Sequence, residues 1–347
     1  MTPYLWLGVL AATAFLLSWL GTGAALAVLR RIGAIDNPNH RSSHVRPTPR
    51  GGGIAPVLVT LAAWAAAETL LPGDWGVVAW DVRPVFAAAL ALTVLSLLDD
   101  LRGLPWALRL LAQALAVVAG LITLPGPVFQ GLLPDRVDLV CTALLWLWFI
   151  NLFNFMDGID GIAGAEATTI GIGIAAVAAT AGLPPILGAW GMCIAAAALG
   201  FLLWNWRPAR VFLGDVGSIP WGFLLGWLLL LLAAHGHWAP AILLPLYFLA
   251  DATLTLLRRL AKGAPPWAAH RTHAYQRAAA AWADHAPVVV RMLALNGALV
   301  ALSLLSVAYG TAAVPVFAGL ALTIGLLWYF ERAAAPPGTP KGPQASQ

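Results

Sequence analysis

The stretch Asn151-Leu-Phe-Asn-Phe-Met-Asp-Gly-Ile-Asp-Gly161 places two amides and two carboxylates between long apolar segments. A carboxylate at the end of a membrane-embedded helix is costly, so a functional role is its default interpretation. The polar residues are three apart, and each step of three slips by about 60° around a helix. We therefore predict that the backbone bends at Gly158 and Gly161, which turns Asp157 and Asp160 into a pocket. An ordinary helix end with Asp-Gly turns is the alternative.

The composition is that of a membrane protein. The chain has 347 residues, of which 61% are hydrophobic and 10% charged. Apolar runs that are long enough to cross a hydrocarbon core of roughly 30 Å recur from end to end. We count about eleven such runs. We therefore expect an all-α polytopic membrane protein, with a single transmembrane domain over residues 1–335 and a disordered cytoplasmic tail over residues 336–347.

The basic residues predict the orientation in the membrane. Of 19 Lys and Arg, only Arg83 and Arg136 lie in one of the two sets of loops between the predicted helices. By the positive-inside rule the other set is cytoplasmic, which places the N-terminus outside and the C-terminus inside. The same rule explains a pI of about 9.4, so we expect no nucleic-acid partner.

Carboxylates gather on the predicted cytoplasmic side, and the positive-inside rule does not account for them. Asp99 and Asp100 end one predicted helix, where adjacent carboxylates repel unless a cation or a proton intervenes. They indicate either a divalent-metal or general-base site, or a solvated helix end paired with Arg102. Asp215 lies between glycines that allow a ligand to approach the backbone, and such oxygen ligands suit Mg²⁺. A tight turn capped by Ser218 is the alternative there.

Two further predicted loops combine basic residues with glycines or with histidines. Arg50 precedes three glycines at the start of a predicted helix, which favours an anion held by guanidinium and backbone N–H groups. The His spacing of a later loop, His270 to His273, also suits a transition metal, but the nearby carboxylates favour hard-cation and phosphate chemistry. Asp251 lies in an apolar segment, and a structural pairing and a site role are both open for it.

These loops together favour phosphoryl transfer at the cytoplasmic face of a membrane. A secondary transporter of an anionic or phosphorylated substrate is the main alternative, and a non-catalytic lipid-binding scaffold is another. A transporter predicts charged groups near the midplane and two similar halves. Here the polar groups gather at one face, and the sequence has no internal repeat that we can see.

Five motifs, in this order, resemble the signatures of the polyprenyl-phosphate N-acetylhexosaminyl-1-phosphate transferases of glycosyltransferase family 4. They are PTPRGGG (47–53), LDD (98–100), NLFNFMDGIDG (151–161), FLGDVGS (212–218) and HRTHAYQR (270–277). The resemblance implies that undecaprenyl phosphate attacks the sugar-linked phosphate of a UDP-N-acetylhexosamine, with Mg²⁺ or Mn²⁺ as the cofactor. The products would be undecaprenyl-diphospho-sugar and UMP.

The resemblance also implies a setting for the reaction. Residues 1–335 would form a catalytic domain in the bacterial inner membrane, with its active site on the cytoplasmic face, and a homodimer is compatible with it. The late motif differs from the triple-His run of the muramoyl-pentapeptide branch. It looks closer to enzymes that begin O-antigen, a part of lipopolysaccharide, or another surface polysaccharide. Those enzymes use UDP-GlcNAc or a deoxy sugar such as UDP-FucNAc or UDP-QuiNAc.

Particular residues acquire roles by the same resemblance. Asp215 would be the lead metal ligand, with Asn154, while Asp99 and Asp100 would orient or deprotonate the lipid phosphate, Asp99 being the better base. Phe212 would stack on uracil, and Asp157 and Asp160 would shape the nucleotide pocket. The late motif would hold the diphosphate or the sugar. The full set of implied substrate-binding residues is Arg50, Arg109, Asn151, Asp157, Asp160, Phe212, His270, Arg271 and His273.

Overall fold

The computed structural model describes residues 3–38, 43–44, 46–70, 81–265 and 270–334, and the predicted tail over 336–347 lies outside them. Within these ranges the chain is mostly helical. The helices are α1 (Pro3–Ile32), α2 (Ile54–Leu70), α3 (Arg83–Arg102), α4 (Trp106–Leu121), α5 (Asp135–Phe155), α6 (Ile162–Thr180), α7 (Pro185–Asn205), α8 (Asp215–Ala234), α9 (Trp238–Leu243), α10 (Leu246–Leu260), α11 (Ala274–Trp282), α12 (Ala286–Ala308) and α13 (Ala313–Ala333). Two short strands, β1 (Ile35–Asp36) and β2 (Thr48–Pro49), pair antiparallel.

The predicted all-α polytopic architecture is confirmed. In the described ranges eight helices are long and apolar enough to cross a membrane, and α2 and α4 are shorter apolar helices. The ninth predicted crossing, over about residues 239–260, is divided into two helices, α9 and α10. The division falls at Leu244 and Pro245, where proline removes a backbone donor. The total of eleven crossings and the orientation of the termini remain predictions.

The central helix of the bundle is α8, against which α2, α3, α5, α6 and α9 pack. It is apolar on all sides, as expected for a helix that is surrounded by protein. Trp146 of α5 stacks on Phe223 of α8 with ring centroids 4.8 Å apart. A Cβ at Gly222 would lie 3.1 Å from Cα of Ile150, so α5 and α8 approach closely. This packing fixes the C-terminal end of α5 beside the N-terminal end of α8.

Most of the polar motifs lie at one end of the bundle, which we call the site end. Here the loop before α2 runs beside the loop before α8. Gly52 N donates to Phe212 O at 2.9 Å, and Phe212 N donates to Pro49 O at 2.8 Å. A Cβ at Gly53 would lie 2.4 Å from Cα of Gly217, so this approach of α2 and α8 requires glycine.

Candidate active site

Three carboxylates and two guanidinium groups from four segments meet at the site end. Arg50 contacts Asp100 at 2.9 Å and Asp215 at 2.7 Å. Arg109 contacts Asp99 at 2.9 Å and Asp215 at 3.1 Å. We call these five residues the carboxylate cluster. Asp215 lies at its centre because both arginines bind it, and two guanidinium groups against three carboxylates leave one net negative charge.

Asp100 caps the N-terminus of α8. Its Oδ1 accepts the backbone N–H of Asp215 at 3.1 Å, and its Oδ2 accepts that of Val216 at 3.0 Å. A carboxylate is favoured there because the first N–H groups of a helix lack partners within the helix. The side chain of Asp100 is only 2% exposed. This geometry gives Asp100 the task of holding the N-terminal end of α8, where Asp215 lies.

Asp99 and Asn154 flank Asp215 from two other helices. Asp99 Oδ1 accepts Leu104 N at 2.6 Å, and its Oδ2 faces Arg109. Asn154 Nδ2 donates to Asp215 Oδ1 at 3.1 Å and to Ser218 Oγ at 2.8 Å. The alternative in which Ser218 caps a turn is wrong, because α8 already begins at Asp215 and Ser218 lies within its first turn.

The predicted helix break in the stretch 151–161 is confirmed. α5 ends at Phe155, and α6 begins at Ile162 after Gly161, whose φ of 83° suits glycine. Gly158 serves a different purpose: a Cβ there would lie 2.2 Å from the hydroxyl of Tyr275. The break therefore releases Asp157 from the helix and leaves room for the late motif to pack against the turn.

Asp157 is the half-buried carboxylate of this turn. Burial, together with the like charges of Asp215 and Asp100, outweighs Arg50 and raises the pKa of Asp157 to about 7. A neighbouring carboxylate disfavours the charged form in the same way that burial does. Asp157 thus belongs to the electrostatic surroundings of the carboxylate cluster.

Asp160 is buried and bound within the protein. Its Oδ2 accepts Ala209 N at 3.1 Å and lies 3.5 Å from Arg207 Nη1. Burial alone would raise the pKa of Asp160, but His285, Ala209 and Arg207 stabilise the charged form and lower it. The structure therefore gives Asp160 internal partners, and the expectation that it shapes the nucleotide pocket stays a prediction.

Phe212 lies half-buried beside Arg50, on the loop before α8. Its ring is tilted against that of His44, with centroids 4.8 Å apart. Arg50 pairs with Phe212 in an isolated parallel bridge. Burial alone would lower the pKa of Arg50, but the carboxylates of Asp215 and Asp100 outweigh it and raise the pKa. Arg50 is therefore a permanent cation whose guanidinium binds two carboxylates and whose backbone pairs with that of Phe212.

Asp251 anchors the late motif by capping α11. It accepts the backbone N–H groups of Ala274 at 3.0 Å and Tyr275 at 3.2 Å. The hydroxyl of Tyr275 in turn donates to Phe155 O at 3.1 Å. Of the two roles left open for Asp251, the structure shows the structural pairing.

In the part of the chain that the structure describes, His270, Arg271 and His273 make no hydrogen bond or ion pair with the carboxylate cluster. The rings of His270 and His273 are 4.9 Å apart, and His273 stacks on Tyr275 at 5.5 Å. Burial, aided by His273 and Arg259, lowers the pKa of His270 to about 4, so this ring is neutral at pH 7. Arg271 is exposed. A role for all three in holding a diphosphate or a sugar stays a prediction.

A cavity of about 230 Å³ opens beside the carboxylate cluster. Arg109 and Asn154 lie on its wall with Asn151, whose Nδ2 donates to Gln113 Oε1 at 2.7 Å and to Leu147 O at 2.8 Å. The rest of its lining is mostly apolar and comprises Trp106, Leu110, Gln113, Trp148, Phe155, Ile219 and Leu256. A larger apolar cavity of about 630 Å³ lies farther along α5 and α10, and Trp148 borders both.

The oxygen donors around Asp215 fit a hard divalent cation. In the described ranges no three His, Cys, Asp or Glu side chains group as a metal site. Mg²⁺ does not require such a group, because it often takes one or two protein oxygens and completes its shell with water and phosphate. Asp215 and the Asn154 carbonyl could supply those oxygens, and the net negative charge of the cluster favours a cation.

Several contributors to the site have partners that sequence reasoning could not have assigned. Gln113 holds Asn151, Ser218 holds Asn154, and the backbone of Leu104 holds Asp99. Arg207 and His285, which bind Asp160, were detectable only as polar residues next to apolar segments. Their partners lie far away in the sequence, so only the fold reveals their roles.

Known proteins resemble this chain over most of its length. The profile of glycosyl transferase family 4 matches residues 82–233. The chain is 29% identical over 287 residues to a probable undecaprenyl-phosphate N-acetylglucosaminyl 1-phosphate transferase of Bacillus subtilis, covering 78% of each protein. It is 30% identical to the phospho-N-acetylmuramoyl-pentapeptide-transferase of a Synechococcus strain, over 71% of each. It is also 30% identical to the decaprenyl-phosphate N-acetylglucosaminephosphotransferase of Mycobacterium leprae, over 63% of this chain and 59% of the relative.

Proposed function

Because the chain belongs to glycosyl transferase family 4, the polyprenyl-phosphate N-acetylhexosamine-1-phosphate transferases, we propose that it transfers N-acetylhexosamine 1-phosphate from a UDP-sugar to undecaprenyl phosphate. The observation that carries this proposal is Asp215, held between Arg50 and Arg109 on opposite sides. Such a centre can receive two phosphate-bearing substrates at once. Guanidinium groups bind phosphate oxygens well, so each arginine offers a phosphate a partner beside the shared carboxylate.

The two arginines differ in their surroundings, which supports a different substrate for each. Arg109 lies on the wall of the 230 Å³ cavity, whose lining is mostly apolar. That setting suits the phosphate of a prenyl lipid that enters from the bilayer, with its tail along the apolar face of α5 and α10. The backbone of Arg50 pairs with that of Phe212, whose ring contacts the His44 ring. This setting suits a nucleotide diphosphate whose uracil stacks on an aromatic ring.

The chemistry follows from these positions. A phosphate oxygen of the lipid attacks the sugar-linked phosphorus of the UDP-sugar, the bond to the bridging oxygen breaks, and UMP leaves with the electron pair. Asp99 orients the lipid phosphate and takes its proton if it arrives protonated, while Arg50 and Arg109 offset charge on the transferred group. A bound Mg²⁺ or Mn²⁺, held by Asp215 and Asn154, would supply further charge neutralisation at the phosphates.

The proposed setting is the bacterial inner membrane, with the reaction on the cytoplasmic face. The uneven distribution of Lys and Arg supports this orientation, since basic loops stay on the cytoplasmic side. We propose that the product begins a surface polysaccharide such as O-antigen. The curated relatives bear both N-acetylglucosamine and N-acetylmuramoyl-pentapeptide names, so the late motif is the feature that favours the polysaccharide branch.

A panel of UDP-sugars tests the proposal. The purified protein is incubated with undecaprenyl phosphate, Mg²⁺ and UDP-GlcNAc, UDP-FucNAc, UDP-QuiNAc or UDP-MurNAc-pentapeptide, and both UMP and lipid-linked sugar are measured. We expect equal amounts of the two products with at least one of the first three donors. A folded protein that releases no UMP with any donor would contradict the proposal and favour a transporter. Turnover with the pentapeptide donor alone would contradict the polysaccharide branch.

A further inference from the structure

His285 is a buried histidine just before α12, and the proposed chemistry makes no use of it. It is only 3% exposed. Its Nδ1 lies 3.1 Å from the backbone nitrogen of Asp160, and its Nε2 lies 3.1 Å from Ser43 O. The ring therefore joins the loop before α2 to the turn between α5 and α6, two segments that are distant in the sequence.

The chemistry of imidazole fixes one of these contacts. The carbonyl oxygen of Ser43 can only accept a hydrogen bond. An unprotonated Nε2 is also an acceptor, so Nε2 must carry a proton and donate it to Ser43 O. In the neutral ring Nδ1 is then an acceptor and takes the N–H of Asp160. In the charged ring Nδ1–H donates to Asp160 Oδ1, which lies 3.2 Å away. The bond to Ser43 exists in both protonation states.

The bond to Ser43 bears on the side of the site that holds the nucleotide in our proposal. Ser43 precedes His44, whose ring packs on Phe212. Arg207, on the loop that carries Phe212, lies 3.4 Å from His285 Nδ1. Three loops that surround Arg50 and Phe212 thus converge on one imidazole ring.

Asn205 provides a natural comparison because it joins two of these three loops. Its Oδ1 accepts Gly161 N at 2.9 Å, and its Nδ2 donates to Val211 O at 2.9 Å. It is as deeply buried as His285. Within the described residues it makes no hydrogen bond to the segment of Ser43 and His44, so only His285 adds that segment to the assembly.

We propose that His285 is a positioning residue for the nucleotide of the UDP-sugar, acting through its bond to Ser43 and the His44–Phe212 contact. The inference rests on the proposed function, in which Phe212 receives the uracil. The inference predicts that His285 affects binding of the UDP-sugar and not binding of the lipid. The cavity beside Arg109, which receives the lipid in our proposal, has no residue of these three loops on its wall.

Two substitutions separate the ring nitrogens. In His285→Gln the amide N–H reaches about as far as Nε2 and can still donate to Ser43 O. In His285→Asn the shorter amide reaches only as far as Nδ1, so it can accept from Asp160 N–H but loses Ser43. We expect the asparagine variant to raise the KM for the UDP-sugar about tenfold, a loss of about 1.4 kcal/mol. The glutamine variant should stay within about threefold, and the KM for undecaprenyl phosphate should stay within about twofold in both.

Binding of UDP alone, measured by titration calorimetry, gives a readout that does not need turnover. We expect the dissociation constant of UDP to follow the KM of the UDP-sugar in both variants. Adding His44→Ala to His285→Asn should raise it little further, because the two residues act through one contact. As the control, Asn205→Ala should lower the apparent Tm at least as much as His285→Asn does, while raising the UDP-sugar KM less.

Equal KM values for the UDP-sugar in the asparagine and glutamine variants would overturn the inference, as would equal rises in the KM values of both substrates. If either variant fails to fold, the other is compared with the unaltered protein in the same calorimetric titration. Absence of UMP release by the unaltered protein would instead count against the proposed function. UDP binding would still be measurable in that case, so the two failures are distinguishable.

Discussion

The carboxylate of Asp100 accepts the backbone N–H of Asp215 at 3.1 Å, although 115 residues separate the two in the sequence. The adjacent Asp99 faces the opposite way, toward Arg109 and the cavity beside it. The Asp-Asp pair is therefore divided between two tasks. One carboxylate holds the helix that carries the central Asp215, and the other faces Arg109, which binds the lipid phosphate in our proposal.

Replacing Asp100 should lower stability as well as activity. Asp100→Ala removes the cap of α8, and loss of an N-terminal cap costs about 0.5–2 kcal/mol. Asp100→Asn keeps one oxygen that can accept an N–H, so its loss should be smaller. We expect the apparent Tm in detergent to fall in the order unaltered protein, Asp100→Asn, Asp100→Ala. The control is Asp81→Ala, which removes an exposed carboxylate that pairs with Arg83. If Asp100→Ala is as stable as this control, the capping role of Asp100 is contradicted.

The close approach of α2 to α8 predicts the effect of a single methyl group. In Gly53→Ala the new Cβ would lie 2.4 Å from Cα of Gly217, so the two backbones must separate and carry Arg50 away from Asp215. We expect a lower apparent Tm and at least a tenfold loss of UMP release. The control is Gly297→Ala, which has open space around the new Cβ and should match the unaltered protein or exceed its stability by about 0.5–1 kcal/mol. Equal behaviour of the two variants would refute the packing argument.

Arg50 and Arg109 should affect different substrates. Because Arg109 borders the cavity of mostly apolar lining, Arg109→Gln should raise the KM for undecaprenyl phosphate more than the KM for the UDP-sugar. Arg50→Gln should do the reverse, because Arg50 lies beside Phe212. Each substitution also removes one of the two guanidinium groups that bind the central carboxylate of Asp215, so we expect a fall in kcat for both. Steady-state kinetics with each substrate varied in turn checks the pattern, and parallel changes in both KM values for both variants would contradict it.

The raised pKa of Asp157 predicts a pH-dependent stability. Because burial raises this pKa to about 7, the folded protein holds a proton that the unfolded chain releases near its ordinary pKa of about 4. The stabilisation from the protonated form is complete below pH 4 and is lost as the pH rises through about 7. Asp157→Asn removes this dependence. We measure the apparent Tm of Asp157→Asn and of the unaltered protein without divalent cations. We expect the difference, variant minus unaltered protein, to increase from pH 5 to pH 8. A difference that stays constant over this range would exclude the raised pKa of Asp157.

Much of the fold could be predicted because hydrophobic run length is a strong signal. Each predicted crossing coincides with a described helix, and the break between Phe155 and Ile162 follows from the spacing of the polar residues. The division of the ninth segment into α9 and α10 was missed, although Pro245 marks it. Proline within a transmembrane helix is tolerated often enough that its presence alone does not predict a break.

The site was predictable in its residue types but only partly in its arrangement. Sequence reasoning gathered Asp99, Asp215 and Asn154 on one side of the membrane, and the structure brings them together. It could not foresee that Asp160 is occupied by internal partners or that Asp100 caps α8. Those roles depend on contacts between residues far apart in the chain, which no local pattern records.

The most direct test of the account measures UMP release by the purified protein with Mg²⁺, undecaprenyl phosphate and each UDP-N-acetylhexosamine. Asp215→Asn and Asp99→Asn are assayed beside it, with folding checked by apparent Tm. We predict Mg²⁺-dependent UMP release by the unaltered protein and a loss of at least 100-fold in each folded variant, about 2.7 kcal/mol or more of transition-state stabilisation. Full activity in both variants would contradict the assignment of the active site to the carboxylate cluster.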